Sequence, residues 1–132
     1  LAACASNMPA VEDRPNFSIL FYPVVVANHY TSHVGSFRNL LGKGFVQADA
    51  DEFSMDKRVS EDTPPTILLL SDDDATVPAA GAAMYYAQLR YFGVKSAMYV
   101  FPEGGHGWGI FDRFSYKKEW QHLLLRWLSE LK

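Results

Sequence analysis

The sequence predicts an α/β fold in which parallel strands are flanked by helices. Three short apolar segments, at residues 17–22, 66–71 and 95–101, have the length and side-chain character of buried strands. Segments with the apolar spacing of helices lie between them and after the last one. Strands that alternate with helices along a chain are typical of a parallel sheet covered by helices.

Helices are predicted at residues 1–8, 37–41, 52–59, 77–92 and 114–131. Pro78 suits the first turn of the fourth helix, and Gly93 suits the position just beyond its end. In the last helix Trp120 and Trp127 lie on one face, and we expect both to be core residues.

Composition narrows the class of protein. The 132 residues are 48% hydrophobic and 20% charged, which is typical of a globular chain. A net charge of -3 argues against a nucleic-acid partner. No apolar run approaches the roughly 18 residues that a membrane span needs, and no signal peptide is visible. The single cysteine, Cys4, allows no internal disulfide.

Three parallel strands make a small sheet with two open edges, and buried strands need neighbours on both sides. We therefore expect residues 1–132 to be part of a larger domain whose N-terminal half lies upstream of Leu1. That half, or a second chain, is expected to complete the sheet.

Candidate catalytic residues follow two of the predicted strands. Asp72, Asp73 and Asp74 come directly after residues 66–71, and His106 follows residues 95–101. Ligands of open parallel sheets bind beyond the carboxyl ends of the strands, so these groups are expected side by side on one rim. A carboxylate beside a histidine can fix the imidazole tautomer and stabilise the imidazolium.

The glycines around His106 favour a loop that presents this side chain to a substrate. Gly104, Gly105, Gly107 and Gly109 allow backbone conformations that other residues rarely adopt. Trp108 neighbours the histidine, and Val77 belongs to the turn after the aspartates. Both are predicted to bind substrate, although Trp108 could instead pack over the last helix.

Two motifs resemble those of α/β-hydrolases. Asp74-Ala-Thr-Val-Pro78 resembles the acid turn of that superfamily, and Gly104-Gly-His-Gly-Trp-Gly109 resembles its histidine loop. Residues 1–3 resemble the start of the helix after the nucleophile elbow, and residues 17–23 look like the strand that comes next. The resemblance covers nearly the whole chain and is strongest to bacterial esterases similar to acetylxylan esterases.

The resemblance implies the C-terminal portion of an α/β-hydrolase fold, with Asp74 as the acid and His106 as the base of a Ser-His-Asp triad. The serine would lie upstream of residue 1, so we expect these 132 residues alone to be inactive. The implied activity is that of a serine carboxylester hydrolase acting on acylated carbohydrate or small esters. It needs no metal or organic cofactor, and the resemblance favours a secreted or periplasmic bacterial enzyme.

Two other functions stay open. A prolyl-oligopeptidase-like peptidase or a dienelactone-type hydrolase would share the acid turn and the histidine loop. A non-catalytic fragment or pseudo-hydrolase could instead serve as a binding module.

Several candidate residues also have simpler explanations. Asp74 could cap the following helix, and Asp72 and Asp73 could be turn residues, rival acids or weak cation ligands. His29 and His33 have the spacing of a metal-binding pair on a helix, but no third ligand is apparent.

Overall fold

A computed structural model describes residues 1–28 and 32–131. Its centre is a parallel three-stranded sheet in the order β1-β2-β3, formed by β1 (Ser18–Phe21), β2 (Thr66–Ser71) and β3 (Ser96–Phe101). The register pairs Thr66 with both Ser18 and Ser96. The α/β prediction, with parallel strands and flanking helices, is therefore confirmed.

Five α-helices accompany the sheet: α1 (Ala2–Ser6), α2 (Val34–Leu41), α3 (Gln47–Asp51), α4 (Ala79–Tyr91) and α5 (Lys117–Ser129). Two short 3₁₀ helices span Val11–Asp13 and Met55–Lys57. Pro78, predicted in the first turn of the fourth helix, is instead the residue immediately before α4. Gly93 follows this helix with a φ of +71°, as predicted. No helix among the described residues is long and apolar enough to cross a membrane.

The helix predicted at residues 52–59 is wrong. The chain forms α3 earlier, then turns into the 3₁₀ helix. The cause is a long-range hydrogen bond, in which the Met55 N–H donates to the Val25 carbonyl at 2.7 Å. This N–H is therefore not available for the bond that a continuous helix would need at this position. The Ala27 N–H likewise donates to the Ser54 hydroxyl at 2.8 Å.

Side chains of β2 alternate between two hydrophobic layers. Leu68 and Leu70 pack on one face of the sheet with Tyr85 and Leu89 of α4. Ile67 and Leu69 lie in the opposite layer, which contains Trp120 and Trp127 of α5. The predicted core role of both tryptophans is confirmed. The middle strand is thus buried on both faces and gives the loop that follows it a rigid support.

Buried hydrogen bonds attach α1 to this body. The Asn7 amide nitrogen donates to the Tyr85 hydroxyl at 2.9 Å, and its oxygen accepts a bond from the Thr63 hydroxyl at 2.9 Å. All three side chains are almost fully buried, and burial raises the pKa of Tyr85. Because an unpaired buried polar group is costly, this network holds the end of α1 in one place.

Among the described residues, β1 and β3 each pair with β2 alone. A groove of about 280 Å³ runs beside β1, lined by residues 1–3, 19–21 and 23–25. It places the start of α1 next to an open strand edge.

Candidate active site

The candidate site lies at the carboxyl ends of β2 and β3. Ser71 and Phe101 are register partners at the last position of the two strands, so both following loops start at the same level. The Asp72 N–H donates to the Phe101 carbonyl at 2.8 Å and extends this pairing by one residue. Asp74 and His106 consequently meet above the same edge of the sheet.

Asp74 and His106 form a direct pair. The Asp74 Oδ2 lies 2.7 Å from the His106 Nδ1. The Asp74 side chain is 1% exposed, whereas that of His106 is 33% exposed. A buried carboxylate at Nδ1 favours the tautomer with its proton there, which leaves Nε2 as the basic nitrogen. The pair thus has the geometry of an acid that orients a general base.

The second oxygen of Asp74 is held by its own turn. Oδ1 accepts hydrogen bonds from the Thr76 N–H at 2.9 Å and the Val77 N–H at 2.8 Å. These bonds hold the carboxylate in an Asx-type turn ahead of α4. Asp74 therefore both shapes the turn and orients the histidine. Of the three consecutive aspartates, it alone forms a hydrogen bond with the His106 ring in the described structure.

Asp73 holds the histidine loop, which we define as residues 104–109. Its carboxylate accepts hydrogen bonds from the Gly105 N–H at 2.8 Å and the Gly104 N–H at 3.2 Å. Chiefly because of the bond from Gly105, the pKa of Asp73 lies below its ordinary value of 3.8. The sequence offered Asp73 only as a turn residue, a rival acid or a cation ligand, since this clamp depends on how the two loops meet.

Gly104 occupies a position that has no room for a side chain. Its φ is +141°, and a Cβ atom there would lie 2.3 Å from the Phe114 ring and 2.9 Å from the Ser71 hydroxyl. Both neighbours are buried. The close approach of loop backbone to the core explains why a glycine stands here.

Trp108 supports the loop from below. Its indole stacks on Phe114 with ring centroids 4.0 Å apart, and its Nε1 donates to the Ser71 hydroxyl at 2.8 Å. The residue is only 2% exposed, and Val77 is 7% exposed. The structure thus gives both residues a packing position, and their contact with substrate stays a prediction.

Tyr22 is a site residue that the sequence analysis missed. Its ring lies edge-on to His106, with centroids 4.6 Å apart. Its φ is +35°, which is uncommon for a residue other than glycine and often marks a functional position. The available signal was its place directly after the first strand, on the same rim as the aspartates and the histidine.

Of the possible metal pair His29 and His33, the structure describes only His33. His29 lies outside the described residues, and the His33 Nδ1 lies 2.9 Å from the Ser36 hydroxyl. Within residues 1–28 and 32–131, no group of three or more His, Cys, Asp or Glu side chains could hold a metal ion.

Comparison with known proteins identifies the family of this chain. An acetylxylan esterase from Xylanibacter ruminicola is 35% identical over 99% of this chain, which covers 28% of that esterase. The crystal structure of an acetyl ester-xyloside bifunctional hydrolase from Caldicellulosiruptor lactoaceticus is 33% identical, with a TM-score of 0.84 over 90% of this chain and 43% of its own. A carboxylesterase from Lactobacillus plantarum shares the fold, with 21% identity and a TM-score of 0.71.

These comparisons confirm the resemblance to esterases of the α/β-hydrolase fold. Because the chain covers about half or less of the solved relatives, it forms part of that fold. The sequence profile of the prolyl oligopeptidase family matches residues 21–132, which include the acid turn and the histidine loop. The chain therefore belongs to the prolyl oligopeptidase family.

Proposed function

We propose that this chain is the acid- and histidine-bearing part of a serine carboxylester hydrolase. The observation that carries the proposal is the 2.7 Å contact between the buried Asp74 carboxylate and the partly exposed His106 ring. The names of its relatives, an acetylxylan esterase and an acetyl ester-xyloside hydrolase, favour an acylated carbohydrate or a small ester as substrate.

In the proposed reaction, a serine supplied from upstream of Leu1 attacks the ester carbonyl. The His106 Nε2 removes the serine proton as the carbon–oxygen bond forms, and Asp74 stabilises the resulting imidazolium. The imidazolium then returns the proton to the leaving alcohol. Water, activated by the same nitrogen, hydrolyses the acyl-enzyme and releases the acid.

The proposed position for the upstream segment is the groove beside β1. The groove contains the start of α1 and the free edge of β1, so an added parallel strand that leads into α1 would end at the same rim as Tyr22. The buried hydrogen bond between Asn7 and Tyr85 would keep α1, and hence the preceding residues, in register with the Asp74–His106 pair. The oxyanion hole would also come from outside residues 1–132.

A peptidase is the second candidate, because the matching family takes its name from an oligopeptidase. Ester and amide hydrolysis share the same base and acid. They differ in the leaving group, which must be protonated far more completely when it is an amine. A proline-containing peptide anilide therefore serves as the discriminating substrate.

The test uses the extended protein, by which we mean residues 1–132 together with the upstream residues encoded by the source gene. We expect it to hydrolyse p-nitrophenyl acetate, whereas residues 1–132 alone do not. His106→Ala in the extended protein is expected to lower kcat by about 10³-fold or more. Activity that survives this substitution would contradict the proposal. Faster cleavage of the peptide anilide than of the ester would favour the peptidase.

The Asp73 clamp predicts a specific dependence of stability on pH. Because the folded-state pKa of Asp73 is lowered, the clamp stabilises the fold fully above pH 3.8 and progressively less as the pH falls below that value. Asp73→Asn in the extended protein should therefore lower the melting temperature at pH 6 and have a smaller effect at pH 3. Equal losses at both pH values, measured by thermal unfolding, would show that the charge of Asp73 does not matter.

A further inference from the structure

We propose that the open polar cleft beside His106 binds the alcohol part of the ester, and that this alcohol is a neutral, hydroxyl-rich sugar. The inference rests on the proposed function, since it takes His106 as the group that protonates the leaving alcohol. It adds a binding site for the leaving group and names the residues that select it.

The cleft lies between the histidine loop and the segment that leads into α5. It has a volume of about 400 Å³, within the range of roughly 300–1,000 Å³ that is usual for small-molecule sites. His106 is part of its wall, together with Asp73, Glu103, Arg113 and Ser115. A general acid must lie within hydrogen-bond reach of the leaving oxygen, so the leaving alcohol must occupy space next to His106.

Three polar side chains of the cleft have unused hydrogen-bonding capacity. Within the described part of the chain, Glu103, Arg113 and Ser115 make no side-chain hydrogen bond or ion pair. The Arg113 guanidinium lies over the Phe111 ring, 4.9 Å from its centroid, and this contact leaves its N–H groups free. Asp73 also retains acceptor capacity, since its two oxygens receive only the bonds from Gly104 and Gly105.

This set of groups matches the chemistry of a sugar. A hydroxyl both donates and accepts, so adjacent hydroxyls can bond to a carboxylate, a guanidinium and another hydroxyl at once. An alkyl or aryl alcohol would desolvate the same groups without giving them partners, which weakens binding. The cleft contains the carboxylates of Asp73 and Glu103 but only the one guanidinium of Arg113. This excess of negative charge disfavours an anionic alcohol.

The test compares two acetyl esters in the extended protein: an O-acetylated methyl xyloside and p-nitrophenyl acetate, whose leaving group is aromatic. Arg113→Leu is expected to lower kcat/KM for the sugar ester by about tenfold or more, mainly through KM. The same substitution should not lower kcat/KM for p-nitrophenyl acetate, because the aryl leaving group has no hydroxyl besides the reacting oxygen that could bond to the guanidinium. Glu103→Gln provides a second variant with the same expectation, and Arg126→Leu, at an exposed position of α5, is the matched control.

The outcomes separate the two proposals. If activity requires His106 but Arg113→Leu and Glu103→Gln leave the sugar ester unaffected, the cleft assignment is overturned and the hydrolase proposal stands. Equal losses with both esters would also overturn it, because they would indicate a structural role for the cleft residues. If the extended protein hydrolyses neither ester in a His106-dependent way, both proposals fail.

Discussion

Asp74→Asn in the extended protein is expected to lower kcat for p-nitrophenyl acetate by about 10³–10⁴-fold. The turn should survive, because the amide oxygen can still accept the N–H groups of Thr76 and Val77. The amide nitrogen would replace Oδ2 and donate to the His106 Nδ1. The imidazole would then carry its proton on Nε2, where it cannot accept the proton of a nucleophile.

Asp72→Asn is the matched control for this experiment. It removes the same charge from the same turn, but the Asp72 side chain is exposed and no hydrogen bond to it is found in the described structure. We expect near-normal kcat for Asp72→Asn, and a thermal unfolding midpoint of Asp74→Asn close to that of the parent protein. A fall in kcat of less than about tenfold for a folded Asp74→Asn protein would remove Asp74 from the acid role.

Gly104→Ala is expected to have the largest effect on the histidine loop. A φ of +141° is adopted almost only by glycine, and it costs roughly 1–3 kcal/mol for a residue with a Cβ. Displacing the buried Phe114 ring and the Ser71 hydroxyl costs about 1–3 kcal/mol more. Because the loop can relieve the overlap by moving away from β2, we expect His106 to leave Asp74 and kcat to fall with stability. Urea unfolding and ester hydrolysis of the extended protein measure the two effects.

Gly105→Ala is a control that introduces backbone strain without steric overlap of the added Cβ. Its φ of +60° is also unfavourable for alanine, but no atom lies within 4 Å of the added Cβ. We expect a stability loss of about 1 kcal/mol and a much smaller loss of activity. Similar losses for the two variants would show that backbone strain, and not the contact with Phe114 and Ser71, controls the loop.

Strong local patterns account for the elements that the sequence predicted well. β2 is an unbroken apolar run and has the predicted bounds of residues 66–71. Pro78 lies at the start of α4, because proline has no N–H to donate to a preceding helical turn. Gly93 lies just beyond its end, because glycine readily adopts a positive φ. The segment around Ser54 was predicted wrongly, since its conformation depends on bonds to Val25 and Ala27, more than 25 residues away.

The sequence by itself determined the parallel α/β arrangement and placed the three aspartates on the same rim as His106, because side chains that follow adjacent parallel strands must share one rim. The structure selected Asp74 as the aspartate that pairs with His106. Only the tertiary structure decided the support of that pair. It assigned Asp73 to the loop amides, Trp108 to the buried face beneath the loop, and Tyr22 to the edge of the imidazole. These roles depend on distances between loops from three strands, and no local pattern of residues encodes such distances.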